Sequence, residues 1–454
     1  MRPVSPITTH TWMLRSAPRP RKSWIPFTPE RMYSQRPLWL ESALQDETSP
    51  SKLYAWNSSN LGLRNSRESN AANDLNHRIF ILGIGNLGRL FASSLVQSPD
   101  RPPITLVVHR RELLEQWEIS RGIEILRSGV LEANKDFDIE WWTDSRPDIG
   151  PIREISDGRK LRNLIITTKA SAALPQVDRL RAYLDQTSTI AFVQNGMSKL
   201  WPPHGATYVS HRFAVGKAPN FLACVTTHGV TSQGQFKSFH ASQADVAIGT
   251  VLPNQFSTEG ANYVIRQVVS APQLDGKHVS RTELWILQLE KLVVNSIINP
   301  LTAILGCKNG DLFTGSDGVL AKIIDQLLFE ASQLLQLLVA HESSSEIIGS
   351  SPANHDSQTP LDTSPQGMRD RFSQVRLKEM VYHVGHKVRE NTSSMLQDVR
   401  ASRSTEIRDF NGWLAETAAF LDPSLDITGH GALIDLVEAG KTLSVDQLGT
   451  HFES

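Results

Sequence analysis

Cysteine is nearly absent: Cys224 and Cys307 are the only two in 454 residues. No disulfide framework can staple such a chain, and a reduced compartment is the expectation. The 14 histidines are scattered, with no HExxH and no Cys/His pair at zinc-ligand spacing, so no metal is expected. An excess of either charge is missing too. The 46 basic and 47 acidic residues leave a formal net charge of -1, which argues against bulk attraction to nucleic acid or an anionic membrane surface. There is no run of about eighteen uncharged apolar residues, so no membrane span is expected and a soluble protein is. Acid is also lacking from the beginning of the chain. Arg2, Arg15, Arg19, Arg21 and Lys22 all come before the first acidic residue, Glu30. That composition fits a mitochondrial transit peptide. It equally fits a basic tail whose prolines keep it disordered in a cytoplasmic protein. The stretch that follows, as far as Asn76, is rich in Ser and Asn and reads as linker, so residues 1–76 are expected to lie outside the folded body.

What is present begins at Arg78. An apolar run, RIFIL, leads into Gly83-x-Gly85-x-x-Gly88, and an amphipathic pattern through Leu90, Phe91 and Leu95 follows. Strand, glycine turn and helix in that order bind dinucleotides. The first glycine permits the tight turn, the second lets backbone approach a pyrophosphate, and the third lets helix pack on strand, with Asn86 and Leu87 opening the helix beneath the phosphates. A second strand, Ile104 to Val108, ends at His109, Arg110 and Arg111, where an NAD-binding chain would usually place an acid. Basic residues there suit a 2′-phosphate, which favours NADPH, although a pair of arginines after a strand is also ordinary solvated surface. Two further buried strands end at Thr168-Lys169 and Asn195-Gly196, both at the carboxyl edge of a parallel sheet. From Thr207 to Ile248 an alternating pattern reads as an antiparallel hairpin closing that sheet. After about Asp275 the pattern turns helical, over 281–305, 317–341, 371–400 and 404–421. A polar, Pro- and Ser-rich insertion at 341–367 is expected to be flexible.

The stretch that organises the second half is Lys291–Ala303, KLVVNSIINPLTA. In a helix, steps of four residues drift by about 40°, so Lys291, Asn295 and Asn299 form one polar stripe among apolar neighbours. Buried polar groups need partners. These could be another helix, giving a hydrogen-bonded core, or a polar ligand. Pro300 removes a donor and is expected to kink or end the helix there.

Taken together, KLVVNSIINPLTA, NTSSMLQDVRASRSTEIRDFNG, TTKA and QNGM make the chain resemble ketopantoate reductase (2-dehydropantoate 2-reductase), from about Arg78 to the C-terminus. The resemblance implies an α/β fold, a Rossmann dinucleotide-binding domain (77–274) followed by an all-α domain (275–454), with the site in the cleft between them. It implies NADPH-dependent reduction of 2-dehydropantoate to pantoate. Another branched 2-oxo acid remains open as substrate, as does a non-catalytic, interacting member of the family. By resemblance Lys291 is the general acid, and Glu406 bonds the substrate hydroxyl or the lysine. Asn195, Asn295, Asn299, Asn391 and Ser394 hold substrate oxygens, Ser394 also beginning a helix as a capping box with Gln397. Arg110 grips the 2′-phosphate, and Lys169 and Asn195 lie beside the nicotinamide end of the cofactor. A small-molecule substrate and a homodimer are the implied partners. Ser198, where the bacterial pattern has glycine, about one added helical turn before Lys291 and the 341–367 insertion depart from the family pattern. None removes a proposed catalytic group.

Overall fold

The computed structural model describes residues 36–63, 74–254, 258–315, 317–349 and 362–452. In chain order its elements begin with α1 (Leu38–Gln45), β1 (Tyr54–Trp56), β2 (Ile79–Leu82), α2 (Asn86–Leu95), β3 (Ile104–Val108) and α3 (Glu112–Ile119). Next come β4 (Ile123–Arg127), β5 (Val130–Asn134), β6 (Asp138–Thr143), β7 (Asn163–Ile166), α4 (Ala170–Leu180), β8 (Thr189–Val193) and α5 (Gly205–Arg212). The sheets are completed by β9 (Asn220–Thr226), β10 (Gly229–Gly234), β11 (Lys237–Ser242), β12 (Val246–Leu252), α6 (Glu259–Ser270) and β13 (Gly276–His278). Helices follow: α7 (Arg281–Leu305), α8 (Val319–Ala340), α9 (Ser345–Ile348), α10 (Pro365–Arg371), α11 (Gln374–Lys387), α12 (Ser394–Arg400), α13 (Ile407–Leu421), α14 (Thr428–Glu438) and α15 (Val445–Gly449).

The main sheet has nine strands in the order β1-β6-β3-β2-β7-β8-β9-β12-β13. From β6 to β9 every pairing is parallel. Strands β2, β3, β7 and β8 are buried at every position, which is why they read as unbroken apolar runs. Their alternate residues feed two separate cores. Ile79 and Ile81 face α2, α3 and α6. Phe80 and Leu82 face a larger cluster that continues through Trp201 and Tyr208 into Trp285, Leu289 and Ile297 of α7 and on into α8. The catalytic helix candidate is thus welded to the sheet by shared apolar packing. The chain leaves β2 for β3 on one side and later returns to β7 on the other, so the carboxyl end of β2 is the switch point where open α/β sheets bind ligands.

Residues 36–63 are folded in place rather than linker. Strand β1 pairs antiparallel with β6 along the edge of the sheet. Arg212 holds the end of α1 through Asp46 at 2.8 Å, and the Trp39 ring meets His204 and Tyr208. Its apolar residues are too widely spaced to show a period. Residues 1–35, where the leader was read, lie outside the described residues.

The hairpin does not close the main sheet. Strands β9 and β12 extend it as antiparallel neighbours, while β10 and β11 belong to a second sheet ordered β10-β11-β4-β5. Strand β11 finds its partner in β4, more than a hundred residues earlier, a choice that alternation alone does not encode. Before them Gly205–Arg212 is helical. The strands also continue slightly past the expected boundary, with β13 pairing β12.

The helix expected over 371–400 is two helices. Between them the backbone is taken by another segment: Asn309 N–H donates to the Asn391 carbonyl at 3.1 Å and Gly310 N–H to that of Arg389 at 3.0 Å. Much of the 341–367 insertion is also ordered. Ile347 is fully buried, and its carbonyl accepts a hydrogen bond of 2.5 Å from Thr282 Oγ1. Only 350–361 within it lie outside the described residues.

Finally, α7 spans the whole of the 281–305 pattern, and Pro300 does not end it. It runs on to Leu305 and is capped by Gly306 in the left-handed region. A proline in a helix orphans the carbonyl four residues earlier. Here that carbonyl belongs to Ser296, and Asn411 Nδ2, from α13, donates to it at 2.9 Å. Among the described residues α8 alone is long and apolar enough to cross a membrane, and it packs against α7, α11 and α14.

Candidate active site

The glycine turn sits at the switch point. Gly83 has φ +99°, and a Cβ on Gly88 would come within 2.1 Å of the Gly83 carbonyl oxygen, so the turn closes only with glycine there. Gly85 is different: a Cβ on it would meet nothing within 4 Å. Its outward side is open, and it is the residue on which α2 begins. Asn86 and Leu87 follow as the first helical residues. Free backbone N–H groups at a helix start, an open approach and a switch-point position are what a pyrophosphate requires, so the residues fit a dinucleotide. Arg110 lies two residues beyond β3, exposed and without a side-chain partner among the described residues. It is free to meet an anion arriving along that edge.

Beyond the end of β8, α7 presents Lys291, which is half-buried. Its ammonium donates to Asn195 Oδ1 at 3.1 Å and to the Thr226 carbonyl at 2.5 Å. Burial pushes the lysine pKa down from its usual value to about 8, against the pull of the Glu406 carboxylate. Asn195 uses both ends of its amide. Its Nδ2 donates to Glu406 Oε2 at 3.4 Å, so the asparagine stands between acid and base. Glu406 is buried, and burial raises its carboxyl pKa, a shift opposed chiefly by Lys169. The result is a bridged Lys291–Asn195–Glu406 line drawn from the helical domain, the end of β8 and the helical domain again. Glu406 stands at the start of α13 but makes no side-chain cap there, so complementing a helix terminus does not explain its placement.

One and two turns beyond Lys291, Asn295 is half-buried and Asn299 is buried. Neither side chain has a hydrogen-bond partner among the described residues. An interhelical hydrogen-bonded core would have paired them. Both amides are left unengaged among the described residues. Ser393, not Ser394, caps α12: its Oγ accepts from Leu396 N–H at 3.1 Å, and Gln397 turns back to the Thr392 carbonyl. Ser393 also receives a 2.7 Å hydrogen bond from Thr302, just past Asn299. The capping box read on Ser394 was thus displaced by one residue, because adjacent serines offer the same signal. Ser394 and Asn391 are exposed, near the far end of the stripe.

Lys169, expected beside the nicotinamide end of the cofactor, is engaged at the end of β7. Its ammonium pairs with Asp398 at 2.7 Å and donates to the Ser404 carbonyl. With Asp409 of α13, which accepts from Ser171 at the start of α4, this ties the two domains across the cleft. Thr226, Asp398 and Ser404 escaped the reading of the sequence. Two of the three contribute backbone carbonyls, which any residue type could supply. A small cavity of about 10 Å³, lined by Gln194, Gly196, Gln288 and Leu292, also reaches Lys291.

A dinucleotide turn at a switch point, on the same carboxyl edge of the sheet as a lysine held by an amide and a backbone carbonyl, defines a two-domain Rossmann oxidoreductase acting on a carbonyl or alcohol. The comparisons make this specific. The family description "Ketopantoate reductase PanE/ApbA" matches residues 79–253, and its C-terminal counterpart matches 283–439. The chain belongs to the ketopantoate reductase family. It is 44% identical over 445 residues to the "Ketoisovalerate reductase BEA2" of Gibberella fujikuroi, covering 91% of this chain and 98% of that one. It is 27% identical over 363 residues to the "Probable 2-dehydropantoate 2-reductase" of Schizosaccharomyces pombe, covering 76% and 91%. Among solved structures, a probable 2-dehydropantoate 2-reductase from Bacillus subtilis superposes with a TM-score of 0.54 at 21% identity, covering 80% of this chain and all of that one.

Proposed function

We propose that the protein is an NADPH-dependent reductase of a small branched 2-oxo acid, with ketoisovalerate as its preferred substrate. The observation that carries the reduction is the Lys291–Asn195–Glu406 line. Bound NADPH supplies a hydride to the C2 carbon. Lys291 has three N–H groups; two are fixed by Asn195 Oδ1 and the Thr226 carbonyl, leaving the third for the substrate carbonyl oxygen. That proton passes to the oxygen as the alcohol forms, leaving Lys291 a neutral amine. A pKa near 8 keeps the proton on the lysine at neutral pH yet makes it easier to give than from a solvated ammonium. Glu406, by accepting from Asn195 Nδ2, keeps the amide oxygen aimed at the lysine. Asn295 and Asn299 hold the substrate's carboxylate oxygens. Arg110 supports NADPH over NADH, since its guanidinium is free to pair with a 2′-phosphate.

Ketoisovalerate is supported by the 44% identical relative's name. A second reading, 2-dehydropantoate, is supported by the 27% identical relative's name and by the unpaired asparagines, which leave polar capacity for an additional hydroxyl. The two acids separate the readings because they differ by a hydroxymethyl group. A pocket that merely tolerates a hydroxyl discriminates by about 10²-fold, whereas one built to bond it rejects the analogue lacking it by about 10⁴-fold or more. NADPH oxidation should therefore be measured with both acids on the same purified protein. Ketoisovalerate is expected to show the higher kcat/KM. A preference of about 10⁴-fold for 2-dehydropantoate would reverse the assignment, and no turnover with any branched 2-oxo acid would remove the reductase reading itself.

A further inference from the structure

Arg89 is the fourth residue of α2, directly behind the glycine turn, and only 6% of it is exposed. Among the described residues no carboxylate pairs with it. Each of its partners is a neutral oxygen: Nε donates to the Ile84 carbonyl at 3.0 Å, and a terminal nitrogen donates to the Gly234 carbonyl at 3.0 Å, the Lys237 carbonyl and Ser238 Oγ at 3.2 Å. Buried charges are ordinarily paired, because neutral hydrogen bonds alone do not replace lost hydration. Burial does lower the pKa of the guanidinium, to about 10, so it remains a cation at neutral pH. The position of this cation matters. Ile84 lies inside the turn, between Gly83 and the open-sided Gly85, and Ser238 Oγ donates in turn to Asn86 Oδ1 at 3.2 Å. One guanidinium therefore pins the floor of the phosphate turn, the β10–β11 turn and, through Ser238, the first residue of α2.

We propose that Arg89 is the buried counter-charge for the dinucleotide's pyrophosphate and the positioning residue that holds the phosphate turn to the second sheet. Its charge adds to that of the helix N-terminus from beneath, in a medium where water screens it little. The structure carries a cation without an anion at the one place where an arriving ligand brings two negative charges. This inference rests on the NADPH-dependent reading above.

The test compares Arg89→Met, which removes charge and hydrogen bonds, with Arg89→Lys, which keeps the charge. Circular dichroism and thermal melts are read alongside Kd for NADPH, from its fluorescence, and Kd for adenosine 2′-monophosphate, which has no pyrophosphate. Arg89→Met should bind NADPH at least about tenfold more weakly while binding adenosine 2′-monophosphate like the wild type. Arg89→Lys should recover most of the NADPH affinity despite a lower melting temperature. Equal weakening toward both ligands, or none toward NADPH, overturns the proposal. Should the Met variant not fold, the Lys variant decides alone: a tenfold loss of NADPH affinity with the charge retained overturns it, and near wild-type affinity upholds it. Wild-type protein in the same titration separates the two layers, since its failure to bind NADPH would sink the cofactor reading rather than the role of Arg89.

Discussion

Replacing Lys291 with methionine removes the acid while leaving most of the volume of the side chain. The lysine pKa is lowered from 10.5 to about 8 by burial, so the charged lysine costs the fold about 3 kcal/mol, at 1.36 kcal/mol per unit. The folded pKa lies below the unfolded one. The penalty is therefore complete below about pH 8, where both states hold the proton. It fades as the pH rises from 8 to 10.5, where only the unfolded lysine stays charged. Wild-type stability should accordingly increase across that window, and the methionine variant should show no such slope. Against the relieved penalty stand two acceptors left without a donor, Asn195 Oδ1 and the Thr226 carbonyl, at about 1–2 kcal/mol each. The two effects nearly cancel, so Lys291→Met should melt within about 1 kcal/mol of wild type at neutral pH. Turnover should behave otherwise, dropping by about 10²–10⁴-fold, roughly 3–5 kcal/mol of barrier, with NADPH affinity unchanged. Wild-type kcat should itself decline as pH rises through about 8, as the acid loses its proton. Urea titrations near neutral pH and near the top of the window, with NADPH oxidation at saturating 2-oxo acid, check all of this. A folded Lys291→Met protein that binds NADPH and turns over at near wild-type rate would refute the mechanism. A wild type whose stability is flat across the window would refute the account of burial.

Two more outcomes are expected. Arg110→Ala should raise KM for NADPH about tenfold or more, through loss of a charge-assisted pairing, and leave KM for NADH nearly unchanged; equal losses for both cofactors would make the arginine structural. Deleting residues 1–35 should leave activity and melting temperature as they are. Deleting 1–77 should lower the melting temperature and solubility, because it strips β1 from β6 and α1 from α5; a fully active, equally stable product of the longer deletion would show that the segment is a passenger.

The parts of this fold that were legible in the sequence are those whose physics is local. The buried strands, the glycine turn and the full span of α7 announce themselves by run length, turn chemistry and period. The stripe of Lys291, Asn295 and Asn299 was visible as geometry, but the sequence could not show whether its amides are bonded; among the described residues those of Asn295 and Asn299 are not. What stayed hidden depends on distant pieces of chain. The break after Lys387 is imposed by Asn309 and Gly310. Continuation through Pro300 is made tolerable by Asn411, itself bonded to the buried His430. Thr226 enters the site through its carbonyl, for which no side-chain signal exists. Lys169 was foreseen at the cleft, yet its engagement with Asp398 depends on the docking of α12.

The edge strand β1 has a bearing on maturation. We propose mitochondrial import on the strength of the basic leader, and a peptidase that trims such a leader meets a structural limit soon after it. Trp39 shelters the Lys199 ammonium 4.9 Å from its ring and bonds Glu416 of α13, and Tyr54–Trp56 cover the outermost hydrogen-bonding groups of β6. Cleavage before Arg36 would leave α1 and β1 in place. Cleavage beyond Trp56 would bare a strand edge flanked by Trp141, and with it a template for pairing one chain to the next. On that proposal the fold limits the mature terminus as much as the recognition sequence of any protease does, and sequencing the N-terminus of protein recovered from cells should find it upstream of Leu38.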